Sequence, residues 1–244
     1  MEYLLANGRQ IAYRKTEGDG PGVLFLGGFR SDMEGTKAVF LENWAKRAGR
    51  AFLRFDYSGH GGSSEEFTDG CIGDWSDDAI AVLDELTKGP QVLVGSSMGG
   101  WISLLCARAR PKRVAGLVGV ASAPDFTEDS MWNGFLESQK NELLCSGHVE
   151  LRSGYGDEPY IITQKLIEDG RKQLVLREPL DLPFPVRLLH GTADVDVEMS
   201  VPLRIVRHVT CEDLRLTFVK GADHRFSDGP CLEMIVSAVK ELTA

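Results

Sequence analysis

The sequence predicts an α/β domain, a mostly parallel sheet flanked by helices, with a helical cap insertion. Three observations predict it. Short apolar runs alternate with amphipathic stretches along most of the chain, as strands buried between helical layers require. A serine flanked by glycines lies at one strand-to-helix junction, Gly95-Ser96-Ser97-Met98-Gly99. The alternation breaks once, between Asp125 and Pro183, and then resumes.

Taken in order, residues 3–6 and 9–14 read as an antiparallel hairpin about Asn7-Gly8, a strong turn signal. Val23-Leu24-Phe25-Leu26 is a buried strand ending in Gly27-Gly28, followed by a helix over 34–48 and a strand from Ala51 to Phe55. The glycine-rich loop Asp56-Tyr57-Ser58-Gly59-His60-Gly61-Gly62-Ser63 leads to a helix from Asp74 to Lys88. Its apolar positions Trp75, Ala79, Val82, Leu83 and Leu86 recur at helical spacing. Pro90 precedes the strand Gln91 to Val94, a helix over 98–110 stops at Pro111, and Val114 to Val120 is a further strand. The stretch 125–183 has weak periodicity and no β-rich run before Pro185. It reads as a mostly helical cap (lid) over a core made of residues 1–124 and 184–244. The strand Val186 to Leu189, a helix over 198–208, the strand Leu214 to Val219 and a helix over 230–242 complete the core.

Acidic side chains outnumber basic ones 36 to 27, and the net charge of -9 argues against a nucleic-acid partner, since no Lys/Arg cluster offsets it. The five cysteines are scattered without CxxC spacing, which points to reduced thiols and a cytoplasmic location rather than a zinc site or a disulfide framework. The first residues, Met1-Glu2-Tyr3-Leu4-Leu5, show the features of neither a secretory signal nor a mitochondrial leader. The longest apolar run, Val114 to Ala123, falls well short of the ~20 residues that span a bilayer, so no integral membrane segment is expected.

The G-x-S-x-G spacing, set between an apolar strand and a helix, is that of a nucleophile elbow, and it centres on Ser97. Centring it on Ser96 would put Val94 and Met98 at the glycine positions. A serine hydroxyl needs a base within hydrogen-bond reach. His224 meets that need best among five histidines, in the loop Gly221-Ala222-Asp223-His224 after the last strand. A carboxylate should orient its ring, and Asp194, closing the segment His190-Gly191-Thr192-Ala193-Asp194, gives the order Ser…Asp…His. Asp125, at the end of the preceding strand, is the alternative acid. Two backbone donors should face the developing oxyanion, the N–H of Met98 and the N–H of Phe29. A metal site built from His190, Asp194, Asp196 and His224 is the rival reading of the same loops, and it leaves the elbow without a purpose.

With these segments in place, the chain resembles the α/β-hydrolase superfamily over nearly its whole length. More narrowly, it resembles the family of mitochondrial palmitoyl-protein thioesterases that also cleave an acyl-glucuronide ester. The likeness is carried by Gly35-Thr36-Lys37-Ala38, Arg54-Phe55-Asp56-Tyr57-Ser58-Gly59, Val94 to Trp101, Arg187 to Gly191 and Asp223-His224-Arg225. The resemblance implies the α/β-hydrolase fold and a catalytic triad of Ser97, Asp194 and His224. It implies hydrolysis of acyl thioesters or esters through an acyl-enzyme, with S-acylated protein among the substrates and no cofactor. Trp132, Phe135 and Tyr155 are the substrate-binding residues expected from the cap, with Leu136, Leu143, Leu144 and Tyr160 as further lining. The rivals are a carboxylesterase of small esters or lactones and a slow-turnover ligand sensor on the same fold.

Overall fold

Two residue parities organise the protein. In the computed structural model, which describes residues 1–151 and 159–243, Val23 and Phe25 pack into one core while Leu24 and Leu26 pack into another. Val92 and Val94 likewise join the first core and Leu93 the second, because successive strand side chains point to opposite faces. Among the described residues, eight strands form the sheet that separates these cores.

The chain runs β1 (Glu2–Ala6), β2 (Arg9–Thr16), β3 (Asp19–Leu26), α1 (Thr36–Ala48), β4 (Arg50–Phe55), α2 (Ile72–Leu86), β5 (Gln91–Ser96), α3 (Met98–Ala109) and β6 (Val114–Val120). After α4 (Glu137–Ser146), β7 (His148–Leu151), β8 (Tyr160–Thr163) and α5 (Gln164–Lys172) come β9 (Val186–Gly191), α6 (Ser200–His208), β10 (Leu214–Val219) and α7 (Gly229–Thr243). The spatial order is β1-β2-β4-β3-β5-β6-β9-β10. In this order β1–β2 and β2–β4 pair antiparallel, and the remaining pairings, β4–β3, β3–β5, β5–β6, β6–β9 and β9–β10, are parallel. The hairpin turns at Asn7 and Gly8, both at positive φ, and aligns Ala6 with Arg9. One face of the sheet carries α1 and α7 through Leu41, Trp44, Ile235 and Val239, and the other carries α2 and α3 through Trp75, Val82, Trp101 and Leu105.

Between β6 and β9 the chain leaves the sheet. Asp125, buried and at φ 60°, accepts from the N–H groups of Val175 (2.8 Å) and Leu176 (3.0 Å) and pairs with Arg177 at 2.9 Å. One carboxylate thus ties both ends of the excursion. Within it lie a wide i→i+5 turn, Thr127–Trp132, then α4, the pair β7–β8 and α5, which packs on that turn and on α2. The antiparallel β7–β8 pair, with His148 opposite Thr163, corrects the expectation of no β-rich run before Pro185. Each strand is four residues long, too short to show a period against its polar neighbours.

Candidate active site

Ser97 stands between β5 and α3 with φ 54° and ψ −117°, outside the regions a non-glycine residue favours. The backbone is held there. Its N–H donates to the Val120 carbonyl at 2.9 Å, and its own carbonyl accepts from Gly100 (2.9 Å) and Ala123 (3.0 Å). A Cβ on Gly95 would come within 2.3 Å of the Gly99 carbonyl oxygen, and one on Gly99 within 2.1 Å of that of Leu26. The two flanking glycines are therefore steric requirements of the bend.

Parallel pairing brings the C-terminal ends of β5, β9 and β10 to one edge of the sheet. There His224 Nε2 lies 3.1 Å from Ser97 Oγ, and His224 Nδ1 lies 2.8 Å from Asp194 Oδ2. A carboxylate accepts, so Nδ1 carries the proton and Nε2 is left to take the one on Ser97. The Asp194 carboxylate is fully buried, while the ring keeps 16% exposure toward the cavity. Burial alone would raise the Asp194 pKa. The His224 ring and the N–H groups of Val197 (2.8 Å) and Asp196 (2.9 Å) outweigh it and hold the carboxyl below its ordinary value. His190 steadies the same loop, its Nε2–H donating to the Val197 carbonyl at 3.0 Å, and burial lowers its pKa. Asp125, the alternative acid, is occupied as the clamp described above.

Ligand atoms of Asp194, Asp196 and His224 lie within 4.8 Å of one another, so the metal reading has a trio to consider. Asp194 Oδ2 and His224 Nδ1 already pair with each other at 2.8 Å and His224 Nε2 faces Ser97 Oγ at 3.1 Å, so both ring nitrogens have hydrogen-bond partners within the protein. Asp194 and His224 thus fit a hydrogen-bonded pair better than a ligand set.

A cavity of about 420 Å³ opens above Ser97 and His224. Phe29, Phe126, Met131, Tyr160 and Val197 give it apolar walls, and Arg30, Lys37 and Arg225 give it cationic ones. Burial, reinforced by the charge of Arg225 and opposed by that of Asp223, pushes Lys37 down to about 8. Lys37 donates to the carbonyl of Arg225, next to His224, and to Ser227 Oγ. Phe29 reaches the cavity from the turn after β3, and Met98 opens α3, where helix N–H groups lack intrahelical acceptors.

Five of the expected lining residues are elsewhere. Phe135 is 7% exposed and packs into the core beneath the 125–183 excursion, and Trp132 lies edge-on to it at 6.4 Å under the guanidinium of Arg171 (4.5 Å). The wide turn rotates Phe126 and Met131 toward Ser97 instead. Tyr160 does line the cavity, Leu143 is core, Leu136 and Leu144 face solvent, and Tyr155 lies outside the described residues. Sequence reasoning passed over Arg30, Lys37, Phe126 and Met131. Lys37 alone had a signal, its place in the Gly35-Thr36-Lys37-Ala38 segment.

A family model described as alpha/beta hydrolase fold matches residues 23–143. Rat mitochondrial palmitoyl-protein thioesterase ABHD10 is 36% identical over 233 residues, 95% of this chain and 78% of that protein. The human counterpart is 35% identical, with 95% and 76% covered. The chain belongs to the α/β-hydrolase family, among the ABHD10 proteins. Solved structures agree: mouse alpha/beta hydrolase domain-containing protein 10 has a TM-score of 0.91 at 32% identity, covering 99% of this chain and 97% of that one. A structure from Agrobacterium vitis S4 reaches 0.94 at 39% identity, covering 97% and 94%. This α/β-hydrolase is thus a hydrolase by family. No helix among its described residues is long and apolar enough to cross a membrane.

Proposed function

We propose that this α/β-hydrolase cleaves acyl thioesters or esters by way of an acyl-Ser97 intermediate. The observation that carries the reading is the continuous run from the buried Asp194 carboxylate through the His224 ring to the Ser97 hydroxyl, 2.8 Å and then 3.1 Å. His224 takes the Ser97 proton as the oxygen attacks the acyl carbonyl, then returns it to the departing thiol or alcohol. The N–H groups of Met98 and Phe29 receive the oxyanion. In the second half a water, deprotonated by the same ring, releases the acid and regenerates Ser97. No step needs a cofactor.

The excursion 125–183 acts as a cap on the core formed by residues 1–124 and 184–244, and Phe126, Met131 and Tyr160 take the acyl group. The curated relatives are named palmitoyl-protein thioesterases, and the apolar walls suit a fatty acyl chain, which makes S-acylated protein the substrate class to test first. Acyl-glucuronide esters are the second. Those relatives are also named mitochondrial, whereas the cysteine pattern points to the cytoplasm. Subcellular fractionation assigns the compartment.

The test is labelling by a fluorophosphonate serine-hydrolase probe, followed by a panel of acyl thioesters matched with oxygen esters. Wild type should label and Ser97→Ala should not. Labelling that survives the substitution rejects the nucleophile.

A further inference from the structure

The loop Asp56 to Ser63 holds a buried imidazole that the mechanism leaves unused. His60 is 4% exposed, enclosed by Tyr57, Phe67 and Trp75 with ring centroids 5.6, 5.2 and 5.1 Å away. Its two nitrogens have definite partners. Nε2 lies 3.3 Å from the backbone nitrogen of Arg30, and Nδ1 lies 3.1 Å from the carbonyl of Ser58. A backbone N–H can only donate, so Nε2 is the acceptor and Nδ1 bears the proton. Burial pushes the ring down to about 4, which keeps it in this neutral form across the working pH range.

The ring is itself well anchored. The Ser58 carbonyl that receives Nδ1–H also receives the Trp75 indole N–H at 3.0 Å. The Ser58 N–H and hydroxyl donate to the buried Asp78 carboxylate at 2.9 and 2.7 Å, and Asp78 is paired with Arg9. At the other end lies the turn from Gly28 to Ser31, closed by the Ser31 N–H on the Gly28 carbonyl. Its third residue, Arg30, sits at φ 53°, in the left-handed region that a non-glycine side chain disfavours. An acceptor fixed at the Arg30 N–H holds the Phe29–Arg30 peptide in that orientation and so sets the path of the residue before it.

We propose that His60 is a positioning residue for the oxyanion loop, holding the Arg30 N–H so that the Phe29 N–H faces the oxygen developing at Ser97. The assignment rests on the serine-hydrolase reading above. Without the acceptor, the turn relaxes out of the left-handed region and the Phe29 donor moves off the oxyanion. Binding of the ground-state substrate, which makes no use of that donor, is spared.

The test compares His60→Gln, His60→Asn and His60→Leu for hydrolysis of a p-nitrophenyl acyl ester. Gln places an amide oxygen near the position of Nε2, whereas Asn reaches only as far as Nδ1. Leu and Asn should lower kcat about tenfold or more with KM within roughly twofold, and Gln should recover most of the loss. If the Leu variant fails to fold, the Gln and Asn pair still decides the matter. Equal kcat for Gln and Asn, or a loss confined to KM, overturns the assignment. Ser97→Ala is run alongside: turnover surviving there rejects the serine-hydrolase reading itself, while an inert Ser97→Ala with Gln and Asn alike rejects only the role of His60.

Discussion

Asp194 Oδ2 lies 2.8 Å from His224 Nδ1 although 30 residues separate them in the chain. The contact exists because β9 and β10 run parallel and end together, each releasing one loop at the same edge. Its effect is to choose which nitrogen of the ring faces Ser97.

Asp194→Asn should therefore leave the fold intact and abolish most turnover. The amide can donate to Nδ1, which moves the ring proton to Nε2 and leaves Ser97 facing a donor. A fall in kcat of about 10³-fold or more is expected with little change in KM. Steady-state kinetics check it, and a loss below tenfold would reassign the acid.

The strained backbone of Ser97 gives a second expectation. Ser97→Gly and Ser97→Ala should be equally inactive, yet the Gly variant should be the more stable by about 1–3 kcal/mol, because glycine accepts a φ of 54° without penalty. Urea denaturation of the two variants measures the difference directly. Equal midpoints would mean that the bend carries little strain.

Lys37 supplies a pH dependence. Its pKa falls from 10.5 in the unfolded chain to about 8 in the folded protein, chiefly through burial. Between these values the unfolded chain binds more protons than the native state, so this residue's contribution to stability rises with pH across that window. Below pH 8 the full cost of the buried charge is present, and above 10.5 it is gone. Relative to Lys37→Met, wild type should gain in melting temperature between pH 7.5 and 9.5, as differential scanning fluorimetry would show. A constant gap would place the Lys37 charge in water.

The cavity wall separates two phenylalanine roles. Phe135→Ala should destabilise the protein by about 3 kcal/mol through a core cavity and leave KM for an acyl substrate within roughly twofold. Phe126→Ala should raise KM for long acyl chains more than for acetyl. The opposite pairing would return Phe135 to the binding site.

The sheet and the bend were legible because both are written in short-range chemistry. A continuous apolar run such as Val92, Leu93 and Val94 is what a strand buried on both faces requires, and Gly95 and Gly99 are demanded by clashes of less than 2.5 Å. His224 and Asp194 followed once a strand order was assumed. The cavity wall was not legible. The turn closed i→i+5 at Thr127–Trp132 brings Met131, five residues on from Phe126, to the same cavity, a spacing that a 3.6-residue period does not select. Arg30 reaches the cavity from a segment that carries no local pattern for it, and Lys37 from one marked only by the family resemblance.

Asp125 has one consequence for how such enzymes diversify. A single buried carboxylate staples the departing chain to the returning one, so the two leads of the excursion meet at a fixed point. Exchanging or lengthening the stretch between these leads is expected to leave β6 and β9 in place. A graft that keeps Asp125 together with the stretch Val175 to Arg177 should transplant acyl preference from one family member to another, leaving the reacting groups where they are.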